Sequence, residues 1–147
     1  MKKLLFFLSL TLFIVMTQLT VTAQTGKPYT EGPVWNVQFI KTKPGMTRLY
    51  LSNLNDGWIK IMNEAKTEGL IMDFKVFSGM PGSKDDWDLM LMYEIKNHAV
   101  EDGLTDKMEA MRNKMFGTED VQQKSAVARN DLRELLGGKM TQELIFK

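Results

Sequence analysis

The sequence contains no cysteine and a single histidine, His98, in 147 residues. Without cysteine there can be no disulfide framework, thiolate zinc site, iron–sulfur cluster or cysteine nucleophile. One histidine cannot supply a multi-histidine metal centre within one chain, and no serine lies in a glycine-flanked nucleophile elbow. We therefore expect no metal site and no conventional nucleophile triad.

An excess of charge of either sign is also lacking. The chain has 19 Lys and Arg against 18 Asp and Glu, and its basic residues are scattered rather than clustered. Binding to a phosphate backbone needs a basic patch, so no nucleic-acid partner is expected. Asp85, Asp86 and Asp88 lack the other ligands of a calcium loop and are typical of a solvated turn.

The N-terminus has the features of a bacterial signal peptide. Lys2 and Lys3 precede an apolar run from Leu4 to Val15, and Val21-Thr22-Ala23 has the small residues that signal peptidase requires. Cleavage after Ala23 removes residues 1–23, which are too short in their apolar part to favour a retained bilayer span. We expect an exported protein, periplasmic or extracellular, that meets a membrane only through this peptide before cleavage.

Residues 24–33 are predicted to be a linker, and a single domain is predicted over residues 34–147. The first strand, Val34 to Ile40, alternates in polarity. Trp35, Val37 and Phe39 share one of its faces. The amides of Asn36 and Gln38 share the other, where they face either a pocket or a subunit contact.

The remaining pattern predicts a helix, a hairpin, two helices and a final strand. The helix begins at Thr47 and ends at Gly69, and the hairpin strands are Leu70–Phe77 and Trp87–Ile95. The next helical region breaks at Gly117, ends at Gly137-Gly138 and precedes a strand over Met140–Phe146. This order is the β-α-β-β-α-β arrangement of ferredoxin-like α+β folds with a four-stranded antiparallel sheet.

Together with the Lys43-Pro44-Gly45 turn before a long amphipathic helix, this order resembles the dimeric α+β barrel superfamily. Its members include antibiotic-biosynthesis monooxygenase-like and stress-responsive barrel proteins. The resemblance spans residues 34–147 and implies a homodimer in which two sheets stack. The hairpin supports pairing independently, because Met90 and Met92 make the second face of its strand apolar as well.

The same resemblance offers weak candidates for a catalytic site. Haem-degrading relatives use an Asn on the first strand, then a Trp and a His, and this chain has Asn36, Trp87 and His98 in that order. His98 alone could also be a general base, or a surface residue without chemistry. Asn36 and Gln38, together with Trp58 and Tyr93, are the candidate ligand-binding residues, although aromatic residues at such spacings also form cores.

Two functional hypotheses remain open. In the first, an exported dimer holds a small apolar ligand between sheet and helices. In the second, the domain is an enzyme that performs cofactor-free oxygenation, isomerisation or haem breakdown. No cofactor motif is evident in the sequence, so haem enters only through the second hypothesis.

Overall fold

Four strands and four helices follow one another in the predicted order in a computed structural model that describes residues 26–147. The elements are β1 (Tyr29–Thr42), α1 (Thr47–Leu54), α2 (Lys60–Thr67), β2 (Asp73–Ser78), β3 (Leu89–Ile95), α3 (Leu104–Phe116), α4 (Glu119–Asn130) and β4 (Arg133–Phe146). A π-helical turn, Asn55–Ile59, joins α1 to α2 in one continuous helix, and a 3₁₀ turn, His98–Glu101, follows β3.

The strands form one sheet in the order β2-β3-β1-β4, with every neighbouring pair antiparallel. This order places β1 at the centre, between β3 and β4. The predicted α+β class and ferredoxin-like topology are thereby confirmed.

The hydrophobic core lies between the helices and one face of the sheet. A first cluster contains Val34, Met62, Ala65, Ile71, Ile95, Leu104, Met108 and Met111. A second cluster contains Ile40, Tyr50, Leu54, Leu89 and Leu91, and Trp58 packs against both clusters. Because Val34 and Ile40 face this core, the residues that alternate with them in register, Asn36 and Gln38, point toward the helices as well.

The strand β1 begins at Tyr29, so the predicted linker over residues 24–33 is wrong in its second half. Tyr29, Thr30 and Glu31 pair with the end of β4, and the register shifts between Glu31 and Val34. Proline lacks a backbone N–H and glycine tolerates irregular geometry, so both are accommodated where the ladder is interrupted. Gly32 and Pro33 mark a strand irregularity here rather than a linker.

The prediction that Gly137-Gly138 ends a helix is also wrong. The helix α4 ends at Asn130, and both glycines lie inside β4 beside a second register shift, between Phe39 and Ile40 of β1. Gly137 has a φ of +140°, and a Cβ at Gly138 would lie 2.6 Å from the carbonyl oxygen of Val37. The glycines are needed because two strand backbones approach closely at an irregular point.

A polar network fastens the end of β1 to its neighbours. The backbone N–H of Thr42 donates to both carboxylate oxygens of Asp88, at 3.0 and 3.1 Å, and its hydroxyl also donates to that carboxylate. The hydroxyls of Thr42 and Thr47 are 2.7 Å apart. Asp88 therefore joins β3 to β1 and to the start of α1, whereas the sequence suggested only a solvated turn.

The predicted signal peptide, residues 1–23, lies outside the described residues. Within residues 26–147, none of the helices has the length and apolar character needed to cross a bilayer.

Replacing Gly138 with alanine should destabilise the fold, because the new methyl group would collide with the backbone oxygen of Val37. We expect the free energy of unfolding, measured by urea titration, to fall by about 1–3 kcal/mol. The control is Gly82→Ala, where the added carbon meets only the Asp86 carboxylate at 3.6 Å. Equal losses in the two variants would contradict the close approach.

Candidate functional site

A cavity of about 370 Å³ lies between the central strands and the helices. This volume falls in the range of small-molecule sites. Its walls come from the sheet and from every helix over it. The residues are Gln38 and Leu91 from β1 and β3; Tyr50, Asn53, Leu54, Asp56, Gly57, Trp58 and Ile61 from the long helix; Arg112 and Phe116 from α3; Gln122, Ser125 and Arg129 from α4; and Arg133 from β4.

A second hollow of about 340 Å³ lies along β1 and β4 beside Gly137-Gly138, and Asn36 and Gln38 contribute to it. Its walls are strand residues only. Sites that bury a ligand need cover on several sides. The cavity between sheet and helices is therefore the candidate site.

One part of the cavity wall is apolar and firmly held. Leu54 and Leu91 belong to the second core cluster, and Trp58 packs between both clusters. The ring of Trp58 meets that of Phe74 edge-on, with centroids 5.7 Å apart. Such edge-to-face pairs orient aromatic side chains, so the indole forms a fixed wall.

Gly57 lies in the π-helical turn at the cavity. Its place in a helix suggests close approach by a neighbouring strand, but a Cβ built there would meet nothing within 4 Å. No neighbour therefore requires a glycine at this position, and the space beside it belongs to the cavity. Single π-helical turns often accompany functional sites, which agrees with this location.

The helix α4 turns polar side chains toward the cavity. Gln122, Ser125 and Arg129 line the cavity from α4, and their spacing puts them on one side of the helix. None of the residues of α4 is buried, and its Val121 and Val127 are 51% and 57% exposed. A helix that covers a core normally buries its apolar side chains and exposes its polar ones. The helix α4 therefore gives the cavity polar contacts and adds no buried apolar side chain to the core.

Positive charge is concentrated in the same cavity wall. The chain has four arginines, and Arg112, Arg129 and Arg133 all line the cavity. The guanidinium carbon of Arg133 lies 6.0 Å from the centre of the Tyr50 ring, within reach of a cation–π contact. Its Nε is buried without a hydrogen-bond partner among the described residues.

Burial changes the protonation chemistry of this wall. Desolvation lowers the pKa of Arg129, and the neighbouring charge of Arg133 lowers it further. Desolvation also raises the pKa of Tyr50, an effect that Arg133 and Arg129 oppose. Tyr50, which is 2% exposed, thus keeps its phenol proton to a higher pH than an exposed tyrosine would, beside two guanidinium groups.

The four candidate ligand-binding residues lie in three places. Gln38 and Trp58 line the cavity together. Asn36 points to the same side of the sheet as Gln38 but lines the strand hollow instead. Tyr93 packs against the first core cluster, where burial raises its pKa.

The three residues of the haem-degrading comparison do not meet. Trp87 precedes β3 and lies on the sheet face away from the helices, with its ring 5.9 Å from that of Phe39. His98 follows the opposite end of β3, is 57% exposed, and has its Nδ1 2.7 Å from Oε1 of Glu101. Asn36 lies on the helix-facing side. The structure therefore forms no Asn–Trp–His set.

The arginines of the cavity are not among the site residues predicted from the sequence. They come from α3, α4 and the first residue of β4, so no local spacing relates all three. One signal was available, since Gln122, Ser125 and Arg129 recur at helical spacing and mark a polar face. Within the described part of the chain, no group of three or more histidine or carboxylate side chains is arranged to hold a metal ion.

No family model matches this chain, and no curated protein matches it. Similar solved structures include a dimeric ferredoxin-like protein from an uncultured marine organism, 10% identical, with a TM-score of 0.48 over 80% of this chain and 90% of that one. Another is a dimeric protein of unknown function with a ferredoxin-like fold from Bacteroides fragilis, 13% identical, with a TM-score of 0.41 over 81% and 100% of the two chains. The specific resemblance to antibiotic-biosynthesis monooxygenase-like proteins stays a prediction.

The buried phenol of Tyr50 should make the fold sensitive to alkali. Its folded-state pKa lies above the usual 10.0, so above that pH the folded chain retains a proton that the unfolded chain has lost. The free energy of unfolding should then fall as pH rises, by at most about 1.4 kcal/mol per pH unit for one group. Denaturant titrations above pH 10.0 should show a shallower fall in Tyr50→Phe. An unchanged slope would contradict this assignment.

Proposed function

We propose that this protein is an exported, homodimeric ferredoxin-like domain that binds a small molecule with a large apolar part in the cavity between sheet and helices. The observation that carries this proposal is the cavity itself. It has a fixed apolar wall, a volume of about 370 Å³ and polar groups from α4 along another side.

The cavity suits a compact molecule of limited polarity. Leu54, Leu91 and Trp58 present carbon surface that is held by the core on its far side, so it cannot collapse into the empty volume easily. Ile61 and Phe116 extend this surface. An apolar ligand would remove this surface from water at about 25 cal/mol per Å² buried.

Filling the cavity from Gly57 should abolish ligand binding without unfolding the chain. The uncharged dye phenylnaphthylamine becomes fluorescent in apolar sites and serves as the probe. We expect saturable binding to the natural protein and none to Gly57→Leu, because the new side chain enters space that holds no other atom within 4 Å of its Cβ.

The matched control is Gly26→Leu, at a glycine that also has open space around it but lies outside the cavity. It should bind the dye normally. Circular dichroism shows whether each variant is folded. Binding that persists in folded Gly57→Leu would overturn the cavity as the ligand site.

Dimerisation is supported by the sheet face that the described helices leave uncovered. Its centre is a continuous apolar patch made by Trp35, Val37 and Phe39 of β1 with Met90 and Met92 of β3. We call these five residues the open-face patch. A single-layer cover on one side of a sheet normally leaves polar residues on the other. In the open-face patch Val37 is buried and the other four residues are half-buried, and this apolar second face favours contact with a second copy.

The surroundings of the open-face patch match a second copy of the chain. Lys75 lies 4.9 Å from the Trp35 ring centre on the β2 side, and Lys139 lies 5.8 Å from the Phe39 ring centre on the β4 side. Glu94 pairs in register with Trp35 and provides the opposite charge. Because charges of both signs border the patch, a two-fold contact allows a lysine of one copy to lie near Glu94 of the other.

Export is supported by the sequence of residues 1–23, with its basic start, apolar run and small-residue cleavage motif. The mature chain then begins at Gln24, just before β1. A core of this size needs no disulfide for stability, which agrees with an exported chain that lacks cysteine.

Native mass spectrometry of protein secreted by a bacterial host should show two chains, each beginning at Gln24.

Met90→Lys should give single chains at micromolar concentration, because a two-fold contact would bury like charges together. The control Leu49→Lys changes a residue of α1 that is 56% exposed and should stay dimeric. If Met90→Lys does not fold, Phe77→Lys at the sheet edge replaces it, since Phe77 is already 45% exposed. A monomeric natural protein would overturn the dimer, and secreted chains that keep residues 1–23 would overturn cleavage after Ala23.

A further inference from the structure

The charges of the cavity wall are not balanced within the described residues. Arg112, Arg129 and Arg133 form no ion pair with any described carboxylate within 4.0 Å. The one carboxylate in the cavity lining belongs to Asp56, which is 68% exposed and lies 3.3 Å from the ammonium group of Lys60. The cavity is therefore electropositive on one side and apolar on the other.

The arrangement of Arg129 and Arg133 is costly without an anion. Both side chains line the same cavity, where Arg129 is partly desolvated and the charge of Arg133 disfavours that of Arg129 further. The contact of Arg133 with the Tyr50 ring offsets part of this cost, but its buried Nε–H still lacks an acceptor. A buried donor without a partner destabilises the folded state. A negatively charged acceptor would balance the two positive charges and would accept a hydrogen bond from Arg133.

The other polar groups of the α4 face are already occupied. The Gln122 amide donates to Oδ1 of Asn113 at 2.6 Å and to the carbonyl of Gly117 at 2.8 Å. The Ser125 hydroxyl donates to the carbonyl of Val121 at 3.0 Å. The guanidinium groups thus remain as the strong donors that a ligand can engage.

We propose that the ligand is a small organic acid whose carboxylate lies between Arg129 and Arg133 while its apolar body contacts Trp58 and Leu91. This inference rests on the proposed binding function and names the chemical class of the ligand. Guanidinium groups present pairs of N–H donors that match the two oxygens of a carboxylate. The wall also carries Arg112, and its apolar part, which includes Trp58 and Leu91, suits the hydrophobic body of such an acid.

Two dyes that share a ring skeleton distinguish the contribution of the negative charge to binding from that of the apolar rings. Anilinonaphthalene sulfonate carries one negative group, and phenylnaphthylamine lacks it. We expect the sulfonate to bind the natural protein about tenfold more tightly, since one charge-assisted contact of about 1.4 kcal/mol corresponds to that factor. Benzoate should displace it, whereas inorganic phosphate at the same concentration should not.

The arginine variants test the assigned groups directly. Arg129→Gln and Arg133→Gln should each weaken sulfonate binding about tenfold and leave phenylnaphthylamine binding unchanged. Arg129 lies on α4, which has no buried residue, so its replacement should not disturb the core. Arg133→Lys keeps the charge of Arg133 and tests its planar donor geometry. The control Arg48→Gln removes the fourth arginine, which lies on α1 outside the cavity.

The outcomes distinguish this inference from the function on which it rests. If both dyes bind equally and the arginine variants change nothing, the organic acid is wrong and the cavity function stands. If phosphate displaces the sulfonate and benzoate does not, the carboxylate assignment is wrong. If neither dye binds, or if Gly57→Leu does not block them, the proposed binding site itself fails.

Discussion

The central position of β1 is the constraint on which the rest of the structure depends. Because β1 pairs with β3 on one side and β4 on the other, its alternating side chains decide what both faces of the sheet can contact. Toward the helices it presents the amides of Asn36 and Gln38 between the buried Val34 and Ile40, and the cavity opens at Gln38. Toward the other side it presents aromatic and aliphatic side chains that the described helices do not cover. One strand pattern thus creates both a ligand cavity and a surface for a second copy.

The cavity is maintained by features that reduce stability locally. A π-helical turn replaces regular helix at Gly57, α4 contributes no buried residue, and the Nε of Arg133 lacks a partner. Departures of this kind from ideal packing are tolerated where a site requires them. Here they all surround the same volume, which distinguishes a built site from a packing defect. The two core clusters and the Asp88 network support the surrounding fold and hold the walls apart.

The sequence predicted helices and strands correctly where hydrophobic residues recur with a regular period. It failed where the prediction rested on a single glycine or proline. The alternation of β1, the left-handed Gly69 after the first long helix and the break at Gly117 all appear in the structure. Gly137-Gly138 was misassigned because glycine marks helix ends and strand irregularities alike. Gly32 and Pro33 were assigned to a linker because glycine and proline are common both in linkers and at strand irregularities. Such residues indicate that the backbone geometry is unusual at a position, but they do not show which neighbouring strand or helix causes it.

The sequence by itself determined the order of elements, the two-sided apolar character of the sheet and the absence of thiol chemistry, because each follows from residue types or short-range periodicity. Only the tertiary structure decided the site. It separated Asn36, Trp87 and His98, which lie on different faces and at opposite ends of β3, and it brought together Arg112, Arg129 and Arg133 from three elements. Proximity between residues on different elements depends on sheet order and helix packing, and neither is encoded in local spacing.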